Sequence, residues 1–123
     1  MTEEHNFQYT QYIIVNSDVK EMKKGKMCAQ VAHASLGAYL VCDDMGTQYE
    51  WLSEGARKVV LKASEEKIIE LYDKISNQRP NIPIYKVRDY GLTQVPENTL
   101  TAIGLGPYLI YILQEYVKDL KLV

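Results

Sequence analysis

Lys26, Gln30 and His33 fall at i, i+4 and i+7 of a segment with helical periodicity, so they share one helix face. Gly37 extends that stripe without a side chain and leaves room beside it. Lys26 lies in the first helical turn, at the positive end of the helix dipole, where a cation does nothing for helix stability. A polar stripe with a cation so placed suits an anion or a developing oxyanion. Spacing alone is equally compatible with an exposed polar face. A lone histidine such as His33 is more often a hydrogen-bonded structural residue than a catalyst.

A second segment runs D-Y-G-L-T-Q-V-P-E-N-T-L-T-A-I-G-L-G-P from Asp89 to Pro107. Asp89 follows a strand end, Gly91 permits a sharp turn, and Thr93 stands close enough for its hydroxyl and the Asp89 carboxylate to converge on one water. Pro96 stiffens the loop. By spacing alone, an Asx-type turn followed by a strand accounts for the same residues and is the simpler reading. Upstream, Lys20 to Lys26 reads K-E-M-K-K-G-K, four lysines against one glutamate, a local charge of +3. Such a run is either a solvated loop or a place for phosphate.

The elements that must position these residues follow from patterning. Tyr9 to Val15 is aromatic and β-branched and reads as a strand. A helix is expected over about 25–41, with Met27, Val31, Ala34 and Ala38 as its apolar set. Residues 43–55 read as a connector with a short helical turn around Trp51. Arg57 to Lys62 is a second strand. Ser64 is a candidate N-cap, with Glu65 and Glu66 in the first turn of a helix that reaches about Asn77 and buries Ile68, Leu71, Tyr72 and Ile75. Ile84 to Val87 and Thr99 to Gly104 are a third and fourth strand. Gly104, Gly106 and Pro107 then read as a strand-to-helix corner, with Pro107 starting a last helix to about Leu120. The order β-α-β-α-β-β-α implies an α/β fold with crossovers and a sheet covered on both faces. The last helix, apolar nearly all round, is expected to be buried or to meet a partner.

The chain has 123 residues, 46% apolar and 24% charged, with a formal net charge of −2, an ordinary balance for one globular domain. We expect a loose tail over 1–8 and one domain over 9–123. The polar, acidic N-terminus does not read as a signal peptide, and no run reaches the roughly 20 apolar residues of a membrane span. The expected location is the cytoplasm. Cys28 and Cys42 are neither a C-x-x-C pair nor a disulfide scaffold, and with His5 and His33 scattered there is no metal ligand set. No metal or other cofactor is expected. Nucleotide-binding glycine motifs are absent from the sequence.

Taken together, M-K-K-G-K-M-C-A-Q-V-A-H-A (Met22 to Ala34) followed by the Asp89–Pro107 motif resembles the peptidyl-tRNA hydrolase 2 family. I-I-V-x-x-D (Ile13 to Asp18), K-V-V-L-K (Lys58 to Lys62) and the terminal D-L-K-L-V sit where that family has like segments. The resemblance implies hydrolysis of the ester between a peptide and the 3′ ribose of tRNA. It also implies a three-layer sandwich, a mixed four-stranded sheet between helices, usually dimeric. It places catalysis on Lys26, Asp89 and Thr93, and matches Gln30, His33 and Thr101 to supporting positions. Lys20, Lys23 and Lys24 would meet tRNA phosphates. The chain departs from the family at Asn16, where a basic residue is common, in a longer loop between Asp18 and Met22, and at Glu97-Asn98. Asn16 and Glu97 bear on tRNA docking.

Overall fold

The computed structural model describes residues 6–20, 22–89 and 98–123. Tyr9–Asn16 forms β1, and it is buried from Thr10 onward. Lys58–Ala63 forms β2, which pairs with β1 in parallel with Ile13 opposite Val60. The link between them holds two helices, α1 (Lys24–Val41) and α2 (Met45–Ser53). Ser64 caps α3 (Glu65–Gln78) by accepting from the Lys67 N–H at 3.2 Å, as its sequence position suggested. Ile84–Arg88 forms β3 and Leu100–Leu109 forms β4. The chain closes with α4 (Ile110–Val117) and β5 (Lys121–Leu122).

The strands make one five-stranded mixed sheet in the order β3-β4-β1-β2-β5. The two sides of β1 enter different clusters. Tyr12 and Ile14 meet Ile68, Leu71 and Ile75 of α3 and Leu113 and Val117 of α4. Ile13 meets Ala34 of α1 with Val87 and Ala102. Strand alternation thus sends successive residues of one run to different helices.

The expected α/β class and mixed sheet hold, but the strand number is five, not four. The added strand, Lys121–Leu122, pairs antiparallel with Leu61 and Lys62. So short a strand has no period to read; the neighbouring edge creates it. The connector before β2 holds a helix of 9 residues, whose Trp51 is buried and donates from its indole N–H to the Arg57 carbonyl at 2.9 Å.

The larger correction concerns β4. Gly104, Gly106 and Pro107 are not a corner but lie within the strand, and α4 starts three residues beyond Pro107, at Ile110. Pairing with β1 passes from Tyr12–Leu105 to Thr10–Tyr108 with a register shift. Gly106 and Pro107 fall in that irregularity, where a missing N–H removes no ladder bond. Gly104 has a different reason: a Cβ there would strike the Ala34 carbonyl, so the glycine lets α1 lie close on the sheet. In the last helix Leu113 and Val117 are buried against the core while Tyr111 is exposed, so burial covers only part of its apolar surface.

Candidate active site

The closeness of α1 to the sheet decides what its polar face can reach. Its buried residues are Gln30, Ala34, Gly37 and Ala38, a small-residue seam with one amide in it. Met27 and Val31 are only half-buried and line an apolar groove on the other side of the helix, with exposed Cys28. The stripe of Lys26, Gln30, His33 and Gly37 instead turns toward β3 and lines one cleft of about 590 Å³.

At one end of the cleft Lys26 Nζ forms an ion pair with Asp89 Oδ2. The side chains are 13% and 4% exposed, so the pair is nearly withdrawn from water. Asp89 directly follows β3, and its backbone N–H donates to the Thr99 carbonyl at 2.9 Å.

Gln30 forms the floor. Its Oε1 accepts from Thr101 Oγ1 at 2.6 Å, and the same hydroxyl lies 3.3 Å from the Val87 carbonyl oxygen. Thr101 sits where β3–β4 pairing shifts register, with Val87 opposite Ala102 and Arg88 opposite Leu100. A bulge re-aims its residue, and here it places a hydroxyl under the helix amide. With Oε1 so held, the Gln30 amide N–H groups are the end available to the cleft.

His33 is exposed on the cleft wall. Lys20, Lys23 and Lys24 are exposed before and at the start of α1. Thr93 lies outside the described residues, as do Gly91, Pro96 and Glu97. Thus Lys26, Asp89, Gln30 and Thr101 come together, and His33 borders the same cleft.

Several lining residues escaped the sequence reading: Leu36, Leu40, Tyr85, Lys86 and Arg88. The room left by Gly37 is filled by the Tyr85 ring, which a Cβ would strike. The alternation Y-x-V-x on β3 marks Tyr85 and Val87 as facing one side, and that was the only sequence trace of this wall. Asn16 is buried and structural: its Nδ2 donates to the Leu100 carbonyl at 2.8 Å and to Glu65 at 3.1 Å, and its Oδ1 accepts from the Asp18 N–H at 2.9 Å.

Comparison with known proteins shows the family. The family model described as peptidyl-tRNA hydrolase PTH2 matches residues 9–123. A protein of Methanopyrus kandleri named peptidyl-tRNA hydrolase is 46% identical over 101 residues, 80% of this chain and 84% of that protein. One of the same name from Staphylothermus marinus is 39% identical over 119 residues, 95% of this chain and 97% of its own length. Another from Methanococcus maripaludis strain C6 is 39% identical over 117 residues, covering 93% and 98%. With the match running through β1, the Lys26 helix and the Asp89 strand to the C-terminus, the chain belongs to the peptidyl-tRNA hydrolase PTH2 family.

Proposed function

We propose that the protein hydrolyses the ester between a nascent peptide and the 3′ ribose of tRNA, with Lys26 and Asp89 at the reacting carbonyl. The observation that carries this reading is the secluded Lys26–Asp89 ion pair at the end of an open cleft. The Asp89 carboxylate accepts a proton from water as its oxygen attacks the ester carbonyl carbon. The Lys26 ammonium and the Gln30 amide face the oxyanion that forms. Collapse breaks the bond to the ribose 3′ oxygen, which takes the proton back from Asp89. The products are a tRNA 3′ hydroxyl and a peptide carboxylic acid, which releases its remaining proton to solvent and leaves as the carboxylate. Thr93 helps hold the water, Thr101 positions Gln30, and His33 contacts substrate at the cleft wall. No covalent intermediate and no metal is needed.

Lys20, Lys23 and Lys24 bind tRNA phosphates near the acceptor end. The protein acts in the cytoplasm; no helix among the described residues is long and apolar enough to cross a membrane. It works as a homodimer, supported by the exposed Met45, Tyr49 and Leu52 of α2 and Tyr111 of the last helix.

The test is release of free tRNA from an N-blocked aminoacyl-tRNA, with and without EDTA, beside Asp89→Asn. Turnover that survives EDTA and collapses in the variant supports the reading. Retained tRNA binding without turnover would make the protein a binding module instead. Equal turnover of unblocked aminoacyl-tRNA would make it a broader ester hydrolase.

A further inference from the structure

The sheet order leaves β3 at one end, paired among the described residues through β4 alone. In an antiparallel pair the N–H and C=O of one residue point to the same side, and successive residues alternate. The Pro83 carbonyl accepts from the Gly106 N–H at 2.8 Å, and the Asp89 N–H donates to Thr99 at 2.9 Å. The odd-numbered positions therefore face β4. The N–H and C=O groups of Ile84, Lys86 and Arg88 face the open side, where no strand among the described residues pairs with them.

That open side borders the cleft. The Lys86 ammonium lies over the Tyr72 ring, 4.2 Å from its centroid, and Lys86 also lines the cleft. Beyond it, Leu36, Leu40 and Tyr85 form an apolar shelf, 58%, 68% and 39% exposed. Asp89 closes the other end.

We infer that the free edge of β3 receives the peptide part of the substrate as an added strand; this rests on the ester-hydrolysis reading above. Its polarity follows from the chemistry. The ester carbonyl is the peptide's C-terminal end, so with that carbonyl at Asp89 the peptide runs in the direction of β3, a parallel addition. From Ile84 to Asp89 is about 16 Å at ~3.3 Å per residue, room for roughly four to five residues. Pairing through backbone groups gives affinity without a sequence requirement. That suits a substrate class in which the peptide is whatever the ribosome had made. Alternate side chains rest on the Leu36–Leu40–Tyr85 shelf.

The experiment compares kcat/KM of the wild-type protein for N-acetyl-alanyl-tRNA and N-acetyl-pentaalanyl-tRNA. The expected result is a gain for the longer substrate on the order of tenfold, the size two or so net hydrogen bonds provide, seen mainly in KM. N-methylation of the peptide amides removes most of that gain. Lys86→Pro, which deletes an outward N–H on an edge strand, brings the long-to-short ratio toward one. Equal values for the two substrates would overturn the inference, as would a gain that survives N-methylation, which would assign it to side-chain contact. Hydrolysis of the one-residue substrate in either case leaves the hydrolase reading standing. Failure on both substrates overturns the hydrolase reading and this inference with it.

Discussion

Lys26 and Asp89 are each poor stabilisers of the elements that carry them, and each makes sense through the other. A cation in the first turn of α1 opposes the helix dipole, and a carboxylate only 4% exposed has lost most of its hydration. Their pairing offsets part of both costs. Lys26→Ala is expected to lower the hydrolysis rate roughly 10²–10³-fold, the usual effect of losing one oxyanion donor. It is also expected to lower stability, because it leaves a buried carboxylate without this partner. Single-turnover kinetics and a denaturant titration read the two effects separately, and wild-type turnover in the variant would remove Lys26 from the mechanism. The thiols give an independent check on local environment. Burial pushes the Cys42 thiol above its ordinary value; a hydrogen bond to the Asp44 backbone opposes this, and the Asp44 and Asp43 charges add to it. A raised pKa means less thiolate at neutral pH. Iodoacetamide is therefore expected to modify exposed Cys28 well before Cys42 at pH 7.5, as followed by mass spectrometry.

Between elements, two contacts set the position of the cleft floor. The first is the approach of α1 to β4 at Gly104. Gly104→Ala forces its methyl against the Ala34 carbonyl, backbone that cannot swing aside. The expected loss is about 1–3 kcal/mol of stability by urea denaturation, with reduced kcat as Gln30 lifts from Thr101. A fully stable, fully active variant would show that the seam tolerates more space than the geometry allows. The second is Asn16, which joins the end of β1 to the start of β4, to Glu65 at the start of α3 and to the Asp18 loop. Asn16→Ala leaves a buried carbonyl and an N–H without these partners, at a cost of about 1–3 kcal/mol. Its effect is thus expected in the denaturation midpoint rather than in the salt dependence of tRNA binding. Asn16 stands at a structural joint, and the expectation that it bears on tRNA docking finds no support in its burial.

For the molecule as a whole, net charge and local charge point in different directions. The chain is formally −2, yet Lys20, Lys23 and Lys24 lie exposed beside the N-terminus of α1. If those lysines carry tRNA binding, about three phosphate contacts predict an affinity loss of tens-fold between 50 and 200 mM salt. A filter-binding series measures it, and a flat response would move the tRNA surface elsewhere. The open edge of β3 belongs to this scale too. An unpaired strand edge invites pairing with other chains, and here it faces the same cleft as Lys26 and Asp89.

The sequence by itself determined the α/β class, the strands around Ile13, Val60 and Val87, the Ser64 cap and the face shared by Lys26, Gln30 and His33. Each is set by local periodicity or by a side chain bonding its own backbone neighbour, and such features are written in adjacent residues. Tertiary structure decided the rest. Gly104, Gly106 and Pro107 carry the local chemistry of a turn, yet they continue β4, because a helix carbonyl and a register shift on β1 make room for them. β5 exists only because β2 had an edge to pair with. Which side of the Lys26 stripe is buried, and that Gln30 reaches Thr101, depended on how closely two elements distant in sequence approach. The same closeness brings Lys26 to Asp89, a contact that no spacing along the chain encodes.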